Sequence, residues 1–423
     1  MGAKVFKGDN ADIKQISTHT VTGTWAADDT GTLTCGGKSV TFTVVAGSTA
    51  IADVVAGLVA AWNASEDGAL EEVAASDASP AITLTAETAG VPFITSESET
   101  TAGDGAIGSQ TDSTAVDGAA HWDQATNWDT GAVPVNDDDI TIEATDNDIK
   151  YGLDQSSVTP DSLTFRQSFT GTCGLPRENN DGNNEFTEYR DTYLQISPDV
   201  CEIGAGEGDG SGRIKLDFGS IVCAATVLNT GSRTERDVPA ILLKGTHASN
   251  TLTVLKGDVG VAFFAGETST IATLNVAGSE AETQVVCGPG VSITTINQTG
   301  GTLDVDTTAS AITTINLDGG TCILRGDTNG VTTINVAEGA KLIDMGGSGT
   351  IATLNLHGEY DHSQSMTARP ITNRNFYPGY IYRDPHGVVA VGGNGIDFHY
   401  CGPGVNGTMD TKPNRTWTES AIA

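Results

Sequence analysis

The sequence predicts a mainly β protein: a parallel β-helix with about 20 residues per rung, preceded by a small α+β module. The first observation is composition, because 52 of the 423 residues are Gly and only 18% are charged. Together with abundant Thr, Ser and Asn, this favours short strands and tight turns over helices. The second observation is a five-residue motif that returns at a regular interval in the C-terminal half of the chain.

The chain begins with two predicted units. Residues 1–16 show neither helical nor strand periodicity and are interpreted as an N-terminal arm. Residues 17–95 predict a ββαββ module, with strands at 19–25, 39–44, 81–85 and 90–93. Its helix is indicated by one continuous apolar face, formed by Ile51, Val54, Val55, Leu58, Val59 and Trp62. The amino-acid sequence of these strands and this helix resembles modules found in structural proteins of tailed bacteriophages.

Two further segments separate this module from the repeat. Residues 96–120 consist largely of Ser, Thr, Gly, Ala and Asp without periodicity, which predicts a flexible linker. Residues 121–160 open with Trp122 and Trp128, in a W-x-x-A-x-N-W-x-x-G-x-x-P pattern. This pattern resembles the opening of β-helical repeat regions in bacterial and phage surface proteins. We interpret the segment as a Trp-rich cap of the solenoid, with a sugar-stacking platform as the alternative.

The repeat carries the fold prediction. The motif [IV]-x-T-[IL]-N ends at Asn275, Asn297, Asn316, Asn335 and Asn355, with spacings of 22, 19, 19 and 20 residues. Leucine-rich repeats have a similar period, but they need L-x-x-L-x-L before the Asn and a helical return. Here only two apolar positions precede the Asn and the return is rich in Gly and Thr. Residues 161–365 are therefore predicted to form a parallel β-helix whose asparagines stack in an internal ladder.

Two parts of the second half depart from the regular repeat. Residues 176–190 are polar and are expected to form a loop thrown out of one rung. Residues 366–423 contain seven of the 24 aromatic residues of the chain: Phe376, Tyr377, Tyr380, Tyr382, Phe398, Tyr400 and Trp417. This last segment is interpreted as an aromatic C-terminal cap or a docking segment, and both interpretations stay open.

Charge, hydropathy and cysteine content argue against several classes of partner and site. The formal net charge of −33 argues against nucleic acid, because an acidic surface repels phosphates. No apolar run approaches the roughly 18 residues that a membrane span needs, and residues 1–15 lack the apolar core of a secretory signal. The seven cysteines are scattered without a CxxC pair, which indicates buried thiols and neither a disulfide framework nor a zinc site.

No catalytic, cofactor-binding or metal-binding residues are predicted. Asp304, Asp306, Asp318 and Asp344 are interpreted as part of a solvated outer face, with no aromatic residue beside them. The polar cluster of Glu359, Asp361 and His362 is interpreted as a turn where the repeat ends. Residues 137–139 and 181–185 offer oxygen ligands, but neither segment follows EF-hand spacing.

The arrangement of an α+β module, a Gly/Thr-rich linker and a β-helix resembles decoration and fibre proteins of tailed bacteriophages. This resemblance implies a non-enzymatic structural protein of the virion surface, made in the host cytoplasm. We expect a capsid decoration protein that forms a homotrimer on the major capsid protein or other virion proteins, without nucleic acid or membrane. The alternatives are a tailspike or tail-fibre protein that binds or depolymerises host surface polysaccharide, and a bacterial adhesin, which would normally carry a signal peptide.

Overall fold

The fold class predicted from the sequence is confirmed. The computed structural model describes residues 2–180, 185–231, 238–326, 330–387, 389–391, 396–399 and 407–411. Among the described residues, strands make up 47% and helices 5%. A small α+β region is followed by a parallel β-solenoid of about 11 turns.

The first strand, β1 (Ala3–Phe6), corrects the interpretation of residues 1–16 as an arm. It pairs in parallel with residues 139–142, so that Ala3 lies opposite Asp139 and Phe6 opposite Ile142. β1 is therefore the first strand of the solenoid sheet. Local periodicity could not reveal this, because the partner strand lies 136 residues further along the chain.

The α+β module has a 13-residue helix packed against two antiparallel sheets, and a second helix of four residues. Val54, Val55, Leu58 and Trp62 are buried on the helix face that the sequence indicated, and Trp62 Nε1 donates to the carbonyl oxygen of Val73 at 2.7 Å. In chain order the elements of the module are β2 (Ile16–Thr22), β3 (Thr30–Cys35), β4 (Lys38–Thr43), α1 (Ile51–Asn63), α2 (Gly68–Glu71), β5 (Val73–Ala78), β6 (Ala81–Ala86), β7 (Thr95–Thr100), β8 (Ala106–Ile107) and β9 (Thr111–Thr114).

The prediction of a flexible linker at residues 96–120 is wrong. β7 pairs antiparallel with β3 over six residue pairs, and both β8 and β9 pair with β2. β7 and β9 are polar because their backbones complete the sheets while most of their side chains face solvent. The module thus extends beyond the predicted residue 95.

The solenoid consists of parallel strands that pair with the strand one turn earlier. Its elements, together with one hairpin at β12 and β13, are β10 (Asp139–Ile142), β11 (Ser162–Arg166), β12 (Glu178–Asn180), β13 (Glu185–Thr187), β14 (Leu194–Gln195), β15 (Val200–Ala205), β16 (Ile214–Asp217), β17 (Ala224–Val227), β18 (Ile241–Lys244), β19 (Thr251–Val254), β20 (Gly257–Val261), β21 (Ser269–Val276), β22 (Thr283–Cys287), β23 (Val291–Asp306), β24 (Ile312–Arg325), β25 (Val331–Val336), β26 (Lys341–Asp344), β27 (Ile351–Leu356), β28 (Glu359–Asp361), β29 (Arg369–Phe376), β30 (Ile381–Asp384), β31 (Val389–Val391), β32 (Ile396–Phe398) and β33 (Thr408–Thr411).

Aliphatic side chains fill the interior of the solenoid. Ile296, Ile315, Ile334 and Leu354 occupy equivalent positions on successive rungs, and each is 0% exposed. Burying a side chain of this size contributes about 1.5–3 kcal/mol, so each added rung extends a continuous core. The stack therefore holds together through contacts between neighbouring rungs.

The boundaries of the solenoid differ from those predicted. Because β10 belongs to the solenoid sheet, the repeat begins before residue 161. It also continues past residue 365, since β29 pairs in register with β27 and β33 pairs with β30. Phe376 and Tyr382 are buried in the core of these last rungs. The strands β29 to β33 are thus further turns of the solenoid, whereas Tyr400 and Trp417 lie outside the described residues.

Residues 176–190 leave the solenoid and contact the α+β module. The described part, residues 176–180 and 185–190, contains an antiparallel strand pair, β12 with β13, where a loop was predicted. Beyond the hairpin, the Arg190 guanidinium donates to the carbonyl oxygen of Pro92 at 3.1 Å and lies 3.3 Å from a carboxylate oxygen of Glu72. This excursion joins the module to the base of the solenoid.

Candidate functional site

The solenoid has two columns of parallel-paired strands. The first sheet contains β17, β19, β21, β23 (residues 291–299), β24 (residues 312–319), β25, β27 and β29, and the second sheet contains β20, β22, β23 (residues 302–306), β24 (residues 321–325), β26, β28 and β30. The second sheet carries a charged face, which we define as the outward side chains of its strands from β23 to β30. Arg325 Nε donates to both carboxylate oxygens of Asp304, at 2.7 and 2.9 Å. Lys341 Nζ lies 3.1 Å from Glu359, and Arg383 Nε lies 3.2 Å from the same carboxylate. These ion pairs join successive rungs, so the charges stabilise the stack locally.

Glu359 and Asp361 belong to this charged face and not to a terminal turn, because both lie in strand β28. Burial opposes ionisation of Asp361, but hydrogen bonds from Ser363 and the nearby charge of Lys341 outweigh it and lower the pKa of Asp361. A glycosidase acid must instead hold a proton near neutral pH. This carboxylate therefore does not have the properties of a general acid.

A buried charged cluster lies close to the charged face and was not predicted. Asp344 accepts a hydrogen bond from the Tyr360 hydroxyl at 2.8 Å, and Arg369 Nε lies 3.0 Å from the same carboxylate. His362 Nδ1 is 3.8 Å from it, and all four side chains are inaccessible to solvent. Burial, followed by the charge of Asp344, raises the pKa of the Tyr360 hydroxyl well above its ordinary value.

The placement of Asp344 corrects its interpretation as an outer-face residue. Strand alternation was the signal available in the sequence: Leu342 points inward, Ile343 is half-exposed, and Asp344 must therefore point inward. A buried carboxylate requires a partner, and Arg369 from the next rung supplies the compensating charge. The enclosed position gives this cluster a structural role and leaves no route for a substrate.

The two tryptophans of the predicted cap are buried at the base of the solenoid. Trp122 and Trp128 pack edge to face with ring centroids 4.7 Å apart, and Phe6 packs on Trp128 at 5.4 Å. Trp128 Nε1 donates to the carbonyl oxygen of Trp122 at 2.8 Å. With 0% and 2% exposure, the rings cannot stack on a sugar, which favours the capping interpretation over the binding platform.

A cleft of about 300 Å³ lies where the module meets the base of the solenoid. Its lining includes Tyr151, Asp154 and Asp191. Hydrogen bonds from Ser156 lower the pKa of Asp154, whereas burial and the charge of Asp154 raise the pKa of Asp191. Two carboxylates with diverging pKa values in a cleft are the arrangement that acid–base chemistry uses.

An aromatic ring that lines this cleft, that of Tyr151, is already in contact with protein side chains. His121 packs on the Tyr151 ring with centroids 5.1 Å apart, and the guanidinium of Arg190 lies 5.7 Å from the Tyr151 centroid. The ring therefore already has two neighbours within stacking range. The sequence does not reveal the cleft because its residues come from four separated segments, around Pro92, Asp123, Tyr151 and Arg190.

The segments with candidate metal ligands do not form a metal site where the structure describes them. Asp138 uses both carboxylate oxygens locally, accepting hydrogen bonds from the backbone N–H groups of Gly2 and Val135. Residues 181–184 lie outside the described residues, and so do the side-chain contacts of Glu185. Across the described chain, no three His, Cys, Asp or Glu side chains gather as metal ligands.

The thiols of the described chain are buried. Cys35, Cys173, Cys201, Cys223, Cys287 and Cys322 are free and inaccessible to solvent. Burial, followed by the charge of Asp304, raises the pKa of the Cys287 thiol to about 12. These thiols are therefore protonated at neutral pH and lack the thiolate character of a nucleophile or metal ligand.

The predicted asparagine column is confirmed and extends one rung further. The side-chain Nδ2 of Asn297, Asn316, Asn335, Asn355 and Asn375 each donates to the Oδ1 of the Asn one rung earlier, at 2.7–3.0 Å. The prediction of an internal ladder is wrong. The Asn side chains are half-buried, whereas the residues before and after each Asn are buried, so the Asn side chains point away from the core. The ladder lies on the outer surface of the first solenoid sheet.

Comparison of the chain with protein families, with curated proteins and with solved structures found no match. Among the described residues, no helix has the length and apolarity required to cross a membrane.

Proposed function

We propose that the chain is a non-enzymatic structural protein of a bacteriophage virion surface, most simply a capsid decoration protein. In this proposal the module faces the shell, the solenoid projects from it, and three copies form a trimer on the major capsid protein or other virion proteins. The observation that carries the proposal is the architecture: about 11 stacked turns, with ion pairs such as Asp304–Arg325 and Lys341–Glu359 joining neighbouring rungs. Such a stack suits a rigid projecting element.

The proposal is tested by binding to capsids. The full-length protein is mixed with capsids assembled without it, taken from the phage whose genome encodes the chain, and the mixture is separated on a sucrose gradient. We expect co-sedimentation at a fixed copy number per capsid, with ordinary serum albumin remaining at the top as a control. Protein that stays at the top of the gradient at every ratio would refute the decoration role.

The cleft at the base of the solenoid favours a second candidate function, a tailspike or tail-fibre protein that binds or cleaves host polysaccharide. Asp154 and Asp191 supply the carboxylate pair that glycoside hydrolysis requires. The assay measures reducing ends released from host capsular polysaccharide and lipopolysaccharide. Release that is lost in Asp191→Asn but kept in Asp318→Asn, an exposed carboxylate of the solenoid flank, would establish this function in place of the structural one.

A further inference from the structure

The first solenoid sheet carries two adjacent outward columns of side chains without an ionisable group, which we name the Thr/Asn face. The exposed carboxylate of Asp318 borders this face, two residues beyond Asn316. The face has one outward residue per strand in each column, from β17, β19, β21, β23 (residues 295 and 297), β24 (residues 314 and 316), β25, β27 and β29. The Thr column runs from Ala224 to Asn373, and the Asn column runs from Thr226 to Asn375. Every side chain in the columns is Ala, Thr or Asn. Glu202 at the lower end and Asp397 at the upper end are the first charges met along the Asn column.

This surface is unusual because the chain as a whole is strongly acidic. The net charge is −33, and the opposite sheet presents Asp304, Arg325, Lys341, Glu359 and Arg383 at equivalent depth. A solvated outer face needs charge for solubility, whereas a face that meets another acidic molecule needs its absence. The contrast between the two sheets therefore indicates that the Thr/Asn face is covered.

Exposed apolar side chains flank the Thr/Asn face and supply an independent indication. Val200 lies in the Thr column one rung below Ala224 and is 50% exposed. Ile221 and Val222 precede Ala224, Leu255 follows the Asn-column position Thr253 by two residues, and each of the three is 42% exposed. Large exposed apolar residues that border an uncharged face are typical of protein–protein interfaces.

The chemistry of the face fits a second copy of this chain. An Asn amide has two N–H donors and two acceptor lone pairs, and the ladder uses only one of each. Thr hydroxyls likewise donate and accept, so the face is complementary to itself. Because the ladder already holds the amides in place, little side-chain entropy is lost when a partner binds.

We propose that the Thr/Asn face is the contact surface between copies of this chain, turned toward the axis of a parallel homotrimer. At a three-fold axis each side chain meets two copies of itself, so one carboxylate there would face two like charges. A face of Thr and Asn avoids this repulsion between copies that each have a formal net charge of −33. The three-fold symmetry rests on the proposed function. The assignment of the contact surface rests on the uncharged side chains of the face and on the exposed apolar residues beside it.

The test measures the oligomeric state of the full-length protein by sedimentation equilibrium over a thousandfold range of concentration. Thr295→Glu places a carboxylate at the centre of the Thr/Asn face, and Thr302→Glu places one on the charged face of the same strand, β23. We expect wild type and Thr302→Glu to form trimers, and Thr295→Glu to weaken the association at least a hundredfold. In the uncharged variant Thr295→Gln, the new side chain has nearly the same size as the Glu of Thr295→Glu, and this variant should remain a trimer.

A second variant tests the same surface in case Thr295→Glu fails to fold. Leu255→Glu changes an exposed residue beside the face without touching the ladder, and it should weaken the trimer while the circular dichroism spectrum stays unchanged. A monomeric wild type, a trimer indifferent to both Thr295→Glu and Leu255→Glu, or equal weakening by Thr302→Glu would overturn the proposal. A monomer that binds insoluble polysaccharide through Thr295 would also overturn it and assign the face to a glycan.

The two proposals fail separately. If Thr295→Glu dissociates the trimer but wild type does not bind capsids, the contact surface stands and the virion role falls. If wild type binds capsids as a monomer, the virion role stands and the contact surface falls. Sedimentation equilibrium and capsid co-sedimentation are therefore run on the same protein preparations.

Discussion

Replacing Asn316 with alanine tests whether the outward ladder stabilises the solenoid. The change removes two hydrogen bonds, one of 2.9 Å to Asn297 and one of 2.7 Å from Asn335. A net contribution of about 1 kcal/mol per bond predicts a loss of about 2 kcal/mol in the free energy of unfolding. The same substitution at Asn375, which makes one ladder bond, predicts a loss of about 1 kcal/mol.

The measurement is urea denaturation followed by circular dichroism, at one protein concentration and with the denaturant slope compared between variants. Asn375→Ala is the matched control, because the change in side chain is identical. The double variant Asn297→Ala/Asn316→Ala should lose about 3 kcal/mol and not 4, since the two residues share one bond. Equal losses for Asn316→Ala and Asn375→Ala would refute the ladder as a source of stability.

Four further outcomes follow from the described contacts. Trp122→Ala should lower the free energy of unfolding by about 3–5 kcal/mol, seen in thermal melts, because it opens the sealed base. Asp344→Ala should cost about 3–5 kcal/mol in urea titrations by leaving Arg369 buried without its counter-charge, and the apolar pair Asp344→Leu/Arg369→Met should recover much of it. The folded-state pKa of Asp361 is lowered, so its contribution is present above about pH 4 and is lost as the pH falls through the folded value. The stability difference between wild type and Asp361→Asn should therefore shrink below pH 4, and a constant difference would contradict this. Iodoacetamide at pH 8 should alkylate Cys287 only after unfolding, as mapped by mass spectrometry, because its pKa is about 12.

The repeat was predictable because its signal is local and is repeated in each rung. Asn297 and its equivalents share a spacing, a neighbouring Thr and an alternating apolar residue, and each feature points to the same stacked strand. The C-terminal rungs were missed where this consistency breaks. Arg374 occupies the position that Leu354 holds one rung earlier, and it is buried there, so the apolar alternation disappears from the sequence while the strand persists.

The remaining errors have a different physical origin. The pairing of Ala3 with Asp139 and the closing of the module by Thr95–Thr100 depend on backbone partners that are distant in sequence, and polar strands with distant partners leave no periodic signature. The cleft at the base was likewise invisible, because Tyr151 and Arg190 meet only after the excursion has folded back. The direction of Asp344, by contrast, was available from counting along its strand.

The pairing of β1 with β10 has a consequence for the order of events during folding. Closing a chain segment costs about (3/2)RT ln n, so joining Ala3 to Asp139 across roughly 130 free residues costs about 4.3 kcal/mol, beyond a constant. If the module folds first, Ile13 is already tied to Asp117, and only about 30 free residues remain to be closed. The cost then falls to about 3 kcal/mol. A folded module therefore lowers the entropy cost of bringing the two halves of the basal rung together, and it favours the packing of the basal tryptophans in the same way.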